Sequence, residues 1–218
     1  MSEPNPHIPS AAASAPGSGD AERTVEAALV DAVAALERAS IPYVVSGGMA
    51  ANLWARPRSS KDADIIVHPD AADAALAACA AGGFDTEETD PRWLYKAIRN
   101  GTWVDLMFSL KGGIFLDSPM LDHAVTVTVG AQPMRVIAPE DLVVIKAVSA
   151  EEQSPRHWGD ALGLLAHPPI DWDYLVERSR SGIRRVLSLL VYADSSDILV
   201  PPAVIDRVFR LAYGGDDG

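Results

Sequence analysis

Two carboxylates two residues apart, Asp62 and Asp64, open an apolar run, Ile65-Ile66-Val67. Such a run reads as a strand, and strand alternation puts Asp62 and Asp64 on one face with Ala63 and Ile65 on the other. Along a strand the two acids stand ~6.6 Å apart, within reach of shared hard cations. Neighbouring acids repel unless a cation lies between them. An isolated pair of this kind is ordinarily two solvated acids at a strand end, so its meaning depends on context.

The chain has 218 residues, 48% of them hydrophobic and 22% charged. That is enough apolar material for a core, and it excludes collagen-like and wholly disordered classes. The net charge of −12 argues against a broad non-specific grip on nucleic acid, which needs a basic surface. No apolar run approaches the ~20 residues that span a bilayer, so no membrane is expected. Met1-Ser2-Glu3-Pro4 lacks a basic and apolar leader, and the single cysteine, Cys79, has no internal disulfide partner. Both point to a cytoplasmic protein.

Residues 1–20 are half Pro, Gly and Ser, and read as a disordered arm. From Ala21 to Arg38, Val25, Leu29, Val33 and Leu36 recur at helical spacing. Tyr43-Val44-Val45 reads as a strand, Ser46-Gly47-Gly48 as a turn, and residues 49–55 as a short helix. After the Asp62–Val67 strand, Asp70 to Ala81 reads as an Ala-rich helix stopped by Gly82-Gly83. Phe84–Arg99 and Thr102–Ser109 read as strands joined at Asn100-Gly101, a two-residue hairpin signal. Val125–Val129 and Met134–Ile137 read as a second pair. Helices are expected over 139–149, 157–166, 171–180, 183–193 and 202–212. The expected fold is α+β: a mixed sheet with flanking helices over 21–138, then a helical module over 139–218.

Two other features gather round the acid pair. Gly47-Gly48 lies between a strand and a helix, where unpaired N–H groups and a close backbone approach suit a phosphate, although an ordinary tight turn has the same sequence. Asp105 stands in the otherwise apolar run Trp103-Val104-Asp105-Leu106-Met107, where an acid costs free energy unless a partner or metal compensates it. An exposed edge is the alternative, and Trp103 and Met107 on the same face argue against it.

In their order and spacing, Gly47-Gly48, Asp62-x-Asp64 and Asp105, led in by Arg58-x-Ser60-Lys61, resemble the nucleotidyltransferase superfamily that includes DNA polymerase β. Ala138-Pro139-Glu140-Asp141-Leu142 through Lys146, and Pro155-Arg156-His157-Trp158-Gly159-Asp160, resemble its small stand-alone branch of abortive-infection type IV and tRNA-modifying toxins. The resemblance covers roughly residues 25–175. It implies transfer of a nucleoside monophosphate from an NTP, such as ATP, to an acceptor hydroxyl on a tRNA 3′ end, a protein side chain or a small molecule. It also implies a place in a toxin–antitoxin pair. Asp62, Asp64 and Asp105 would be the metal ligands for two Mg²⁺ ions, with Mn²⁺ as substitute. Asp105 would also accept the acceptor's proton. Ser46, Gly47, Gly48, Arg58, Ser60 and Lys61 would bind the nucleotide, with Arg58 best suited to a bidentate grip. Lys146 would neutralise developing charge, a lysine at a helix surface being the alternative.

The chain departs from the pattern at several places. Ser60 replaces the commoner Thr, Ala63 a larger apolar residue, and one basic residue and one acid are missing from the later motif, which leaves Asp160 without an assigned role. No histidines cluster with Cys79 at zinc spacing. A non-catalytic regulatory or antitoxin-like protein on the same fold is one alternative function. Antibiotic adenylylation is another, with Asp85, Glu87, Glu88 and Asp90 as an acidic cluster for a cationic drug. Arg178, Arg180, Arg184 and Arg185 could meet RNA or phosphate, but internal pairing is the favoured reading in so acidic a chain.

Overall fold

The computed structural model describes residues 19–55, 62–153, 155–167 and 169–214. Arg58, Ser60 and Lys61 lie outside the described residues, as do residues 1–18 of the expected arm. Helix α1 spans Gly19–Arg38, beginning two residues before the expected boundary. It buries Val25, Leu29, Val33 and Leu36, the residues whose spacing announced it.

Among the described residues, seven strands form one mixed sheet: β1 (Tyr43–Ser46), β2 (Ala63–Val67), β3 (Asp85–Asp90), β4 (Leu94–Arg99), β5 (Thr102–Met107), β6 (Val125–Val129) and β7 (Gln132–Val136). Their order is β3-β4-β5-β2-β1-β7-β6. Strand β2 runs antiparallel to β1 and parallel to β5, and β1 pairs in parallel with β7. Helices α1 and α3 (Ala72–Ala81) cover one face, where the Tyr95 hydroxyl donates to Asp73 at 3.0 Å and its ring packs 4.8 Å from Phe108. On the other face, α2 (Gly47–Trp54) stands over β1 and β2 and α5 (Pro139–Ser149) packs against α2, leaving the β3–β4–β5 end more open. The Trp54 indole N–H donates to the Ile137 carbonyl at 2.8 Å and fixes α2 over that region. Helices α6 (Arg156–Ala166), α7 (Trp172–Arg178) and α8 (Ile183–Ser195) pack against α5, and α9 (Pro202–Tyr213) packs against α8 and α7.

Two expectations need correction. The Phe84–Arg99 run is two strands, because Pro91-Arg92-Trp93 turns the chain back on itself and Asp90 accepts from the Arg92 and Trp93 side chains there. The acidic cluster is accordingly an exposed edge strand, β3, in which charge discourages pairing with another chain. A helix not foreseen, α4 (Ser118–His123), follows Asp117, whose carboxylate accepts from the Met120 N–H at 2.9 Å. The signal was present, since Asp before Ser-Pro is an N-cap followed by a proline that suits the first turn. The Asn100-Gly101 hairpin is found as expected, with both residues at positive φ, +52° and +74°. Among the described residues, no helix is long and apolar enough to cross a membrane.

The helices are tied together by a buried charge network. Asp141 on α5, 1% exposed, accepts from the Arg178 Nε at 2.5 Å and from the Tyr174 hydroxyl at 2.7 Å. Burial pushes the Asp141 carboxyl up, and the Arg178 guanidinium pulls it back. The same guanidinium reaches Asp117 at 2.6 Å, so α4, α5 and α7 share one cation. Arg178 is thus internally paired. Arg184, exposed on α8, lies over the Tyr213 ring at 5.3 Å. Replacing Arg178 by Met leaves a buried carboxylate without its cation and should cost ~3–5 kcal/mol in urea unfolding at neutral pH. Tyr174→Phe should cost only ~1–2 kcal/mol. A loss below 1 kcal/mol for Arg178→Met would show that the network does not hold these helices.

Candidate active site

The site forms where β1 ends and β2 and β5 lie side by side. Asp64 pairs in register with Ser46 on one side and with Asp105 on the other, so all three point to the same face of the sheet. Asp105 lies on an interior strand, between β4 and β2, and not at an exposed edge. The opposite faces of both strands are core: Ala63, Ile65, Val104 and Leu106 are each 0% exposed. Alternation therefore separates an apolar face from an acidic one on the same backbone.

Gly47 begins α2 at φ +63°, a left-handed conformation that L side chains rarely adopt. A Cβ there would stand 1.7 Å from Asp64 Oδ2. The glycine is required because the carboxylate fills the space a side chain would need. The Gly48 N–H, at the helix start, donates to Asp64. The Asp64 carboxyl is pushed up from its ordinary 3.8 to about 6, first by burial and then by the negative charges of Asp62 and Asp105; Lys146 and the Gly48 N–H act the other way.

Lys146 is buried, which disposes of the surface-lysine alternative. Its ammonium lies 3.1 Å from Asp160 Oδ2, so α6 holds the lysine of α5 over the acids. That pairing supplies a structural place for Asp160. A cleft of about 590 Å³ opens here, lined by Ser46, Gly47, Gly48, Asp62, Asp64, Lys146 and Asp160 among others. Asp105 stands next to this wall, and its Oδ1 accepts from Lys96 Nζ at 2.9 Å. Lys96 escaped the sequence reading, yet its signal was there. Counting outward from the Asn100-Gly101 loop pairs Arg99 with Thr102 and, three steps on, Lys96 with Asp105.

The donor set is made of carboxylate oxygens, the chemistry that hard divalent cations take. The mutual repulsion written into Asp64 is what a cation would relieve, so the residues present fit one. Among the described residues, no three His, Cys, Asp or Glu side chains close on a single point as ligands of a bound ion do. Asp105 is instead turned to Lys96.

A mixed sheet with its acids beside a glycine-led helix start is the core of a nucleotidyl-transferring fold. The solution structure of the antibiotic-resistance factor ANT(2″)-Ia is similar, at a TM-score of 0.52 and 15% identity over 80% of this chain and 99% of that one. So is a nucleotidyltransferase-like antigenic protein from Paracoccidioides brasiliensis, at 0.52 and 14% over 90% and 98%. The nucleotidyltransferase toxin MenT4 from Mycobacterium tuberculosis matches at 0.45 and 14% over 88% and 72%. At such identities the first two likenesses speak to fold. No curated protein matches the chain. A family model described as uncharacterised nucleotidyltransferase matches residues 16–193, and the chain belongs to that family of transferases.

Gly47→Ala and Gly130→Ala make a matched pair, since both glycines have positive φ but a Cβ at Gly130 meets nothing within 4 Å. Gly130→Ala should cost ~1–2 kcal/mol for the backbone alone. Gly47→Ala should cost at least ~2 kcal/mol more or displace Asp64. Equal losses in parallel denaturant melts would remove the close-approach role given to Gly47.

Proposed function

We propose that this protein transfers a nucleoside monophosphate from an NTP to an acceptor hydroxyl. The in-register placement of Asp64 beside Asp105, with Asp62 next to them and a glycine-led helix start packed against Asp64, carries the reading. Asp62, Asp64 and Asp105 would hold Mg²⁺, with Mn²⁺ able to substitute. When bound, such ions neutralise phosphate charge and polarise the reacting oxygens. The chain's own groups do the rest. Ser46, Gly47 and Gly48 line the cleft at a helix start, where a phosphate is favoured. Lys146, held by Asp160, offers a fixed positive charge to the phosphate oxygens as negative charge develops on them. Asp105 accepts the proton as the acceptor oxygen bonds to the α-phosphorus and the bond to pyrophosphate breaks. Arg58, Ser60 and Lys61 belong to the segment leading into β2 and are proposed as further phosphate contacts.

The test is direct. Each NTP labelled at its α-phosphate is incubated with the purified chain, Mg²⁺, and cellular RNA, protein or a small-molecule pool that includes aminoglycosides. Label in one pool identifies the acceptor class, and a tRNA 3′ end together with growth arrest on expression is the outcome of the toxin reading. Asp62→Ala, Asp64→Asn and EDTA should each reduce transfer to background, since losing one metal ligand removes several kcal/mol of charge stabilisation. Full transfer by Asp64→Asn would sink the assignment.

A second outcome follows from the raised Asp64 carboxyl. Between pH ~4 and ~6 the folded chain keeps a proton that the unfolded chain has lost, so stability falls as pH rises through that window. Asp64→Asn should therefore be more stable than wild type above pH ~6, by of the order of 2–3 kcal/mol, and no more stable below pH ~4. Melting temperatures across that range, without divalent cation, check the sign.

A further inference from the structure

The acid pair belongs to a longer polar row. Register carries it across five strands on one face of the sheet: Glu87 on β3, Lys96 on β4, Asp105 on β5, Asp64 on β2 and Ser46 on β1. Lys96 has a carboxylate directly beside it on both flanking strands. Such cross-strand partners have Cβ atoms ~4.5–5.5 Å apart, well within the swing of a four-carbon lysine stem. In the structure the ammonium is committed to one side. It lies 2.9 Å from Asp105 Oδ1 and 4.4 Å from the centre of the Trp103 ring, with both partners of the ion pair about one-sixth exposed or less, 15% and 16%. Glu87, on the exposed edge strand, accepts from the Thr89 hydroxyl at 3.0 Å.

We propose that Lys96 is a resident substitute for the divalent cation at Asp105. It holds that carboxylate while no cation is there, and passes to Glu87 when one arrives. The inference rests on the reading of Asp62, Asp64 and Asp105 as a cation-binding group. Three carboxylates on adjacent strand positions repel one another, and a monovalent ammonium offsets part of that repulsion. A divalent cation carries twice the charge and takes carboxylate oxygens at short range, so it displaces the ammonium. Glu87 and the Trp103 ring then keep the freed lysine from being stranded in the sheet. Loading thereby acquires an order. The Asp105 side opens only after Lys96 has moved.

The experiment is a Mn²⁺ titration of the full chain without nucleotide, counting bound ion by electron paramagnetic resonance. Lys96→Met should bind Mn²⁺ about fivefold more tightly than wild type, the scale of one ion pair removed as competitor. Lys96→Arg keeps a cation on Asp105 and should stay near wild type. Glu87→Gln should weaken Mn²⁺ binding by up to about fivefold in wild type, and not at all in the Lys96→Met background. Trp103 reports the movement independently: Mg²⁺ should change tryptophan emission in wild type and leave it unchanged in Trp103→Phe and in Lys96→Met. A lysine that merely braces the sheet would lower the melting temperature of Lys96→Met while leaving Mn²⁺ affinity and stoichiometry at wild-type values. That result, with Asp64→Asn still weakening the binding, overturns the inference alone. If neither Asp64→Asn nor Asp105→Asn alters Mn²⁺ binding, the inference falls together with the reading beneath it.

Discussion

Parallel pairing of β2 with β5 places Asp64 directly beside Asp105, and the like charge of those two acids organises much of what surrounds them. Like charges on a partly buried surface raise the cost of folding unless neighbours answer them. The structure answers with two lysines. Lys146 reaches from α5 and is steadied by Asp160, while Lys96 reaches across from β4. The Gly48 N–H adds a dipole from the start of α2, and Gly47 surrenders its side-chain volume so that the Asp64 carboxyl fits. Each is a local adjustment to one electrostatic demand.

The two halves of the fold meet at that demand. The sheet supplies the acids, and helices from the later part of the chain supply the balancing charge and the far wall of the cleft. Helix α5 serves both. One of its acids, Asp141, anchors Arg178 and thereby α4 and α7, while its lysine, Lys146, faces the sheet acids. Packing that looks purely structural therefore sets the position of a charged group in the cleft.

Under the proposed reading, those same features would separate a nucleotide wall from an acceptor side. Gly47, Gly48 and Lys146 line the cleft beside Asp64. Beyond Asp105 the sheet face continues into Lys96, the half-exposed Trp103 and the acidic β3 edge. Under that reading an acceptor approaching from there would meet an aromatic ring and charges of both signs.

Much of this was legible in the residues themselves. Alternation in Asp62–Val67 and Thr102–Met107 announced which side chains share a face, because a strand has a period of two whatever its neighbours. Asn100-Gly101 announced a hairpin because both positions need positive φ, and with it the facing of Lys96 and Asp105 could be counted. Helical spacing in α1 and from α5 to α9 was equally plain. Pairing between distant segments was not, since nothing local says that β2 lies parallel to β5, or that α6 delivers Asp160 to Lys146. Those contacts join residues far apart in the chain, and they are decided by how whole faces bury together. The Pro91-Arg92-Trp93 reversal was missed although Asp90-Pro91 is itself a turn signal, and Asp90 stabilises that turn through side-chain hydrogen bonds. From sequence alone come the acid pair, the glycine turn and the faces of the strands. Only tertiary structure, by balancing buried charge against packing, determines which lysine answers which acid.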